Sequence, residues 1–136
     1  MQQIYYGSHL MGDLNGCTVR DGEYLYRFLK DLVREIGMES MGSPHLDLYT
    51  GPHTEWDGFS ATIHIQSSHI TVHIFAFGYV FIDIFSCTPI DVAKAQHFIK
   101  KSFEPAHDSW QFVRRGFNFP SHLIDPSMSG GDNAIS

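Results

Sequence analysis

The chain has 136 residues, of which 43% are hydrophobic and 14% aromatic, and its formal net charge is −6 at pH 7. This length is typical of one domain that can bury a core, and the apolar content excludes a disordered chain. Basic residues form no cluster longer than two, which argues against a nucleic-acid partner. The sequence contains no apolar run of about 18 residues and no signal-peptide pattern. We therefore expect a cytoplasmic protein with no membrane partner.

The first half of the chain alternates between strand and helix patterns. Residues 3–14 predict a first strand, and Asp21 then caps a helix that ends at Gly37. Its apolar residues follow the spacing of one helix face: Leu25, Phe28, Leu29, Leu32 and Ile36. Residues 38–49 predict a weaker strand interrupted by Pro44, and residues 50–58 predict a loop.

The second half predicts three strands in succession, then a helix and a short strand. Residues 59–66 alternate strictly, a bend is expected at 67–69, and two further strands meet near Gly78. Thr88 and the proline after it predict a helix start, with the helix running to about Phe103. Residues 110–113 predict a last strand. The fold class is therefore a two-layer α+β sandwich, a mainly antiparallel sheet with two helices on one face. We expect one domain over 1–120 and a loose tail over 121–136.

Chemically active side chains concentrate in residues 66–87. Ser67, Ser68, His69, His73 and Cys87 lie at or near the ends of adjacent predicted strands. Hydroxyl, imidazole and thiol groups can converge there. The pattern is typical of a site.

Two general kinds of site could use these residues, a metal site and a hydrolase site. A metal site is disfavoured, because His69 and His73 are four positions apart on a strand, or roughly 13 Å, and one ion cannot bind both. A hydrolase using Ser60 or Ser68 with His73 and Asp83 lacks the usual nucleophile turn.

Cys87 closes a strand just before the predicted helix start, where a thiol can become reactive. It can equally be a small buried hydrophobic residue. Cys17 has no comparable context and is expected to be structural. Both cysteines are expected to be free.

A family resemblance joins these residues. The string Ser-His-Ile-Thr-Val-His at 68–73, with Gly78, Asp83 and Cys87, resembles the prokaryotic S-adenosylmethionine decarboxylases. The Gly-Ser-His-Leu segment at 7–10 and the Asp-Leu-Asn-Gly-Cys segment at 13–17 resemble the opening of that family. The resemblance covers about residues 5–116.

The resemblance implies a proenzyme that cuts itself between residues 67 and 68. Ser68 would attack the carbonyl of Ser67 and become a pyruvoyl cofactor, whose carbonyl forms a Schiff base with the substrate. His73 corresponds to the base that takes the α-proton, Ser60 to a hydroxyl that assists processing, and Cys87 to the proton donor. A homodimer and a role in polyamine biosynthesis are also implied by the resemblance, and the spacing of His69 and His73 already argues for no metal.

Two departures from the family leave alternatives open. Ser67 stands where the family has Glu, so the chain could be a non-cleaving relative that serves as a binding or regulatory subunit. The family's Trp-Pro-Glu segment is reduced to Phe-Ala-Phe at 75–77, which removes the acid that holds the ribose hydroxyls. The substrate could then be ornithine or arginine, with Asp47 as the partner of its distal charge.

Overall fold

The computed structural model describes residues 5–124, in which two helices cover one side of a six-stranded sheet. Neighbouring strands are all antiparallel, in the order β2-β3-β4-β5-β1-β6. The predicted two-layer sandwich is confirmed. The elements in chain order are β1 (Ser8–Asn15), α1 (Gly22–Glu35), β2 (His45–Tyr49), β3 (Gly58–Ile65), β4 (Ser68–Phe75), β5 (Val80–Ser86), α2 (Val92–Phe103) and β6 (His107–Arg114).

Strict alternation in the strands gives the sheet two different faces. One face packs its aliphatic side chains under the helices, and these residues are at most 2% exposed: Leu10, Leu14, Ala61, Ile63, Ile65, Ile70, Val72, Ile74, Val80, Ile82 and Ile84. The opposite face, here called the open face, carries polar and aromatic side chains, and no element within residues 5–124 covers it. Its central members are Ser60, Thr62, His69, Thr71, His73, Phe81, Asp83 and Phe85.

The start of α1 is as predicted and that of α2 is not. Asp21 accepts a hydrogen bond from the Tyr24 N–H at 2.9 Å, and Gly37 follows the helix with φ +71°. The cap of α2 is Asp91, not Thr88. The Thr88 N–H donates to Ser86 Oγ, and the two hydroxyls lie 2.9 Å apart. The Thr88 hydroxyl is therefore engaged in a local turn with Ser86, and it does not cap α2.

Several strand boundaries also differ from the prediction. β1 begins at Ser8, and β2 begins only after Pro44, which has no N–H to donate to the ladder. The bend predicted at 67–69 is wrong by one residue. The turn is formed by residues 66 and 67, so Ser68 is already the first residue of β4 and pairs with Ile65. The last strand is longer than the predicted 110–113.

The predicted tail lies partly outside the described residues. A single 3-10 turn covers Ser121–Leu123, and residues 125–136 are not described. Among the described residues, no helix combines the length and apolarity that a membrane crossing needs.

Candidate functional site

The first cluster of functional side chains lies where the β3–β4 hairpin meets the end of β5. Ser68 pairs in register with Ser86, the last residue of β5. The Ser68 Oγ atom is therefore 3.7 Å from the Sγ atom of Cys87, and both residues are partly buried. Ser68 has φ +156°, a value that side-chain-bearing residues rarely adopt. The structure thus brings together the predicted nucleophile and the predicted proton donor.

The residue before Ser68 is held by two groups at the end of β5, one of which is held in turn by Thr88. The carbonyl oxygen of Ser67 accepts a hydrogen bond from the Cys87 N–H at 2.9 Å. The hydroxyl of Ser67 accepts a second one from Ser86 Oγ, also at 2.9 Å. Ser86 Oγ in turn accepts the Thr88 N–H at 3.0 Å. These contacts fix both the carbonyl and the side chain of Ser67.

Ser60 and His73 form a second cluster on the open face. They are directly opposite each other on β3 and β4, and Ser60 Oγ lies 2.7 Å from His73 Nδ1. Five residues of β4 separate His73 from Ser68, a distance of about 16 Å. Within one chain, the hydroxyl of Ser68 and the thiol of Cys87 therefore lie together, whereas the imidazole of His73 lies farther along β4 beside Ser60.

The acid of the hypothetical hydrolase triad is engaged elsewhere. The Oδ1 atom of Asp83 lies 3.2 Å from His9 Nε2 on the neighbouring strand, an ion-pair distance without hydrogen-bond alignment. In the ladder, Asp83 is opposite Thr71, while His73 is opposite Phe81. Ser60 and His73 thus have no carboxylate from Asp83, and this triad is not formed.

A pocket of about 360 Å³ opens beside the Ser60–His73 pair. Its apolar walls come from both strands and from the loop between β2 and β3. The lining residues are Tyr49, Trp56, Gly58, Phe59, Ser60, His73, Ile74 and Phe75. Ring centroids lie 6.2 Å apart for Trp56 and Phe75, 5.5 Å for Trp56 and Phe77, and 5.3 Å for the stacked Phe75 and Phe77. Flat aromatic surface therefore dominates this pocket.

Asp47 lies opposite Ser60 on β2 but does not line the pocket. Its side chain is 70% exposed, and its Oδ2 atom is 3.0 Å from His45 Nε2. A carboxylate in this position is solvated and already has a partner. This geometry gives little support to Asp47 as the recognition group for a cationic substrate.

Two further groups have a shifted pKa, His69 near the site and Cys17 in the core. Burial lowers the pKa of His69, and positive charge on His9, His64 and Arg115 lowers it further, against the opposing effect of Asp83. Separately, burial raises the pKa of Cys17 to about 11. In the part of the chain from 5 to 124, no three His, Cys, Asp or Glu side chains are placed to hold a metal ion.

The sequence did not point to several of the groups that shape the site. The Cys87 N–H donor belongs to the backbone, so no residue pattern signals it. Ser86 and Thr88 looked like a strand end and a helix cap. Trp56 was a lone aromatic residue in the loop predicted over residues 50–58.

Comparisons with known proteins point to one family. The S-adenosylmethionine decarboxylase family model matches residues 8–116. A protein of Clostridium botulinum strain Hall, described as an S-adenosylmethionine decarboxylase proenzyme, is 31% identical over 103 residues, covering 72% of this chain and 84% of that protein. Its counterpart from strain Loch Maree is 30% identical over the same length. The adenosylmethionine decarboxylase structure from Aquifex aeolicus VF5 has the same fold, with a TM-score of 0.70, 22% identity, and coverage of 82% of this chain and 92% of that one.

Proposed function

The chain belongs to the S-adenosylmethionine decarboxylase family, and we propose that it is a self-processing decarboxylase acting on S-adenosylmethionine. One observation carries the proposal. The peptide bond between Ser67 and Ser68 has its carbonyl polarised by the Cys87 N–H at 2.9 Å, and the Ser68 hydroxyl is beside Cys87 as well. A nucleophile, an activated carbonyl and a thiol are therefore grouped at one bond.

Processing begins with an acyl shift within the chain. Ser68 Oγ attacks the Ser67 carbonyl carbon, a C–O bond forms, and the C–N bond breaks to leave an ester and a free amine on residue 68. The Cys87 N–H donates to the oxygen that gains charge in this step, as the donors of an oxyanion hole do. The φ of +156° at Ser68 is a backbone strain that breaking the amide relieves.

Elimination then separates the two chains. A base removes the α-proton of residue 68, the carboxylate of Ser67 leaves, and the resulting unsaturated amine tautomerises to an imine. Water replaces the nitrogen, ammonia is released, and the second chain begins with a pyruvoyl group. The resemblance gives the role of base to His73, whose Nδ1 is held by Ser60.

The separation of the clusters supports a dimeric site. His73 cannot reach Ser68 of its own chain across about 16 Å of strand. If two open faces pack against each other around a two-fold axis, with their β4 strands antiparallel, the Ser60–His73 pair of each copy can lie over Ser68 and Cys87 of the other. The open face and its rim carry large exposed rings that a second copy would cover: Trp56 at 49%, Phe77 at 46% and Phe81 at 40%.

The residues at this hairpin fit a pyruvoyl group, because Ser68 is partly buried at a sheet end with a thiol 3.7 Å away. Such a group supplies an electron sink for decarboxylation. Cys87 is then placed to return a proton to the substrate α-carbon. The aromatic pocket beside His73 offers a flat surface to a nucleobase. Because Asp47 does not line this pocket, no carboxylate there would bind the distal charge of a basic amino acid. A basic amino acid is therefore a weaker candidate substrate than S-adenosylmethionine.

Denaturing mass spectrometry tests the processing step. We expect the wild-type protein to yield two chains split after residue 67, and Ser68→Ala to yield one intact chain, because the attacking hydroxyl is gone. Ser67→Ala is the matched control and should still be cleaved. An intact wild-type chain would instead identify a non-cleaving relative. Cleavage of Ser68→Ala but not of Ser67→Ala would move the scissile bond by one residue.

A further inference from the structure

Two adjacent serines give this chain two chemically equivalent scissile bonds. Ser68 can attack the carbonyl of Ser67, and Ser67 can attack the carbonyl of Gln66 by the same acyl shift. Both serines are partly buried at the hairpin end, so their difference must come from their partners. Those partners are unequal, because Ser67 Oγ accepts a hydrogen bond from Ser86 Oγ at 2.9 Å, whereas Ser68 Oγ makes a longer contact of 3.7 Å with the Cys87 sulfur.

We propose that Ser86 is the positioning residue that selects the cleavage register, an inference that rests on the proposed self-processing. Ser86 Oγ donates to Ser67 Oγ at 2.9 Å, and the Ser67 hydroxyl donates to Met38 Sδ at 3.9 Å. A hydroxyl oxygen that already accepts a hydrogen bond is a weaker nucleophile, and this one is also tied to β5. Ser67 is thereby withheld from attack.

The same contact prepares the neighbouring bond. Ser86 and Cys87 are consecutive, so the side chain of one and the N–H of the other hold Ser67 at two points. Two fixed points define the orientation of the Ser67 carbonyl relative to Ser68 Oγ, and such orientation lowers the barrier to an intramolecular attack. Ser86 itself is held by Thr88 and is fully buried. Its hydroxyl is therefore a fixed support rather than a mobile surface group.

Ser8 provides a matched control, because it lies beside Ser86 in the sheet, on the strand opposite to the one that carries Ser68. It pairs in register with Ser86 on β1, is also fully buried, and its Oγ atom has no hydrogen-bond partner in the described structure. Ser8→Ala therefore removes a buried hydroxyl of the same kind and depth without touching Ser67. Ser86→Thr keeps the hydroxyl and tests for rescue.

The experiment follows cleavage of newly synthesised chains in a cell-free system by intact-mass spectrometry. For Ser86→Ala we expect cleavage after residue 67 to slow roughly tenfold, as loss of one orienting hydrogen bond implies. We also expect a second product pair in which the first chain is lighter by one serine. Ser86→Thr should restore a single register, and Ser8→Ala should match the wild type.

A second variant keeps the proposal testable if Ser86→Ala does not fold. Ser67→Ala lies in the hairpin turn and removes the other partner of the hydrogen bond. Cleavage after residue 67 should slow by a similar factor, and the double variant should be no slower than either single one. Additive effects, equal slowing by Ser8→Ala, or a single register at wild-type rate in Ser86→Ala would overturn the inference. Absence of cleavage in the wild type would instead contradict the proposed function.

Discussion

At the scale of single residues, the Ser60–His73 contact links a hydroxyl to the histidine proposed as the base. Ser60 Oγ and His73 Nδ1 lie 2.7 Å apart, and the tautomer of the imidazole decides which of them donates. The proposed base needs a lone pair on Nε2, so it requires the tautomer in which Nδ1–H donates to Ser60 Oγ. Under the proposed function, Ser60 would therefore act on processing through His73.

Replacing Cys87 and His73 should stop the protein at different stages. Cys87→Ala keeps the backbone N–H that polarises the Ser67 carbonyl, so the chain should still be cleaved but should release little CO₂ from S-adenosylmethionine. His73→Ala should stall as the ester, because the α-proton is not removed.

Hydroxylamine distinguishes these outcomes, since it splits esters and should release two chains from His73→Ala. Measured turnover that remains at wild-type level in both variants would contradict the assigned roles. His107→Ala is a suitable control, because this histidine is exposed at the start of the edge strand β6.

The sequence predicted the side-chain chemistry of the site better than its geometry. Residue types and the family resemblance together identified Ser60, Ser68, His73 and Cys87 as candidates, and the structure pairs them as Ser60 with His73 and Ser68 with Cys87. The contacts of Ser67 could not be predicted, because they depend on a backbone N–H and on a turn that replaces a helix cap. Hydroxyl groups form many alternative local hydrogen bonds, and only the folded chain selects among them.

At the scale of elements, the loop between β2 and β3 changes what the site can bind. Asp57 fixes the end of the loop, since its side chain accepts the Gly51 N–H at 2.9 Å and its carbonyl accepts the Ala76 N–H at 2.7 Å. The loop thereby places Trp56 against Phe75 and Phe77. An aromatic wall occupies the region where the resemblance leads one to expect a carboxylate.

Trp56→Ala should weaken substrate binding more than it slows the reaction. The indole lines the pocket beside His73, and its ring packs against Phe75 and Phe77. We expect KM for S-adenosylmethionine to rise roughly three- to tenfold, as loss of one aromatic contact worth about 0.5–1.5 kcal/mol implies. The kcat value should change little.

Steady-state kinetics on fully cleaved protein measures this effect, and Phe117→Ala is a control because Phe117 is 49% exposed on a different segment. A fall in kcat with unchanged KM would show that Trp56 acts on the reaction and not on binding. Ornithine and arginine in the same assay compare the alternative substrates directly.

Strands were easier to predict than helix starts for a physical reason. Alternation in β3, β4 and β5 is imposed by a buried face, and a slip of one residue would expose all of its aliphatic side chains. The start of α2 is decided by competition between Thr88 and Asp91 for nearby N–H groups. Both are good capping residues, so a local pattern cannot rank them.

At the scale of the whole molecule, the proposed dimer can be tested by complementation. A His73→Ala chain retains Ser68, and in a mixed dimer it would meet the intact Ser60–His73 pair of a Ser68→Ala partner. We expect coexpression to produce cleavage of the His73→Ala chain only, because its partner has no nucleophile. Intact masses distinguish the two chains if one carries an affinity tag.

The matched control replaces the partner with a chain that carries both substitutions. That combination supplies no histidine to either site and should leave every chain uncleaved. If the His73→Ala chain is cleaved equally well with either partner, His73 is not supplied across the interface. Failure of all mixtures, together with a monomeric mass in solution, would contradict the dimeric site.

The sheet order has a consequence for the protein after the cut. The first chain supplies β1, β2 and β3 and the second supplies β4, β5 and β6, yet β1 lies between β5 and β6. The proposed cut would make each protomer a heterodimer whose two parts are interleaved, and it would change folding from a unimolecular to a bimolecular process. Unfolding would also become hard to reverse, because the separated chains would have to find each other before β1 could re-enter the sheet.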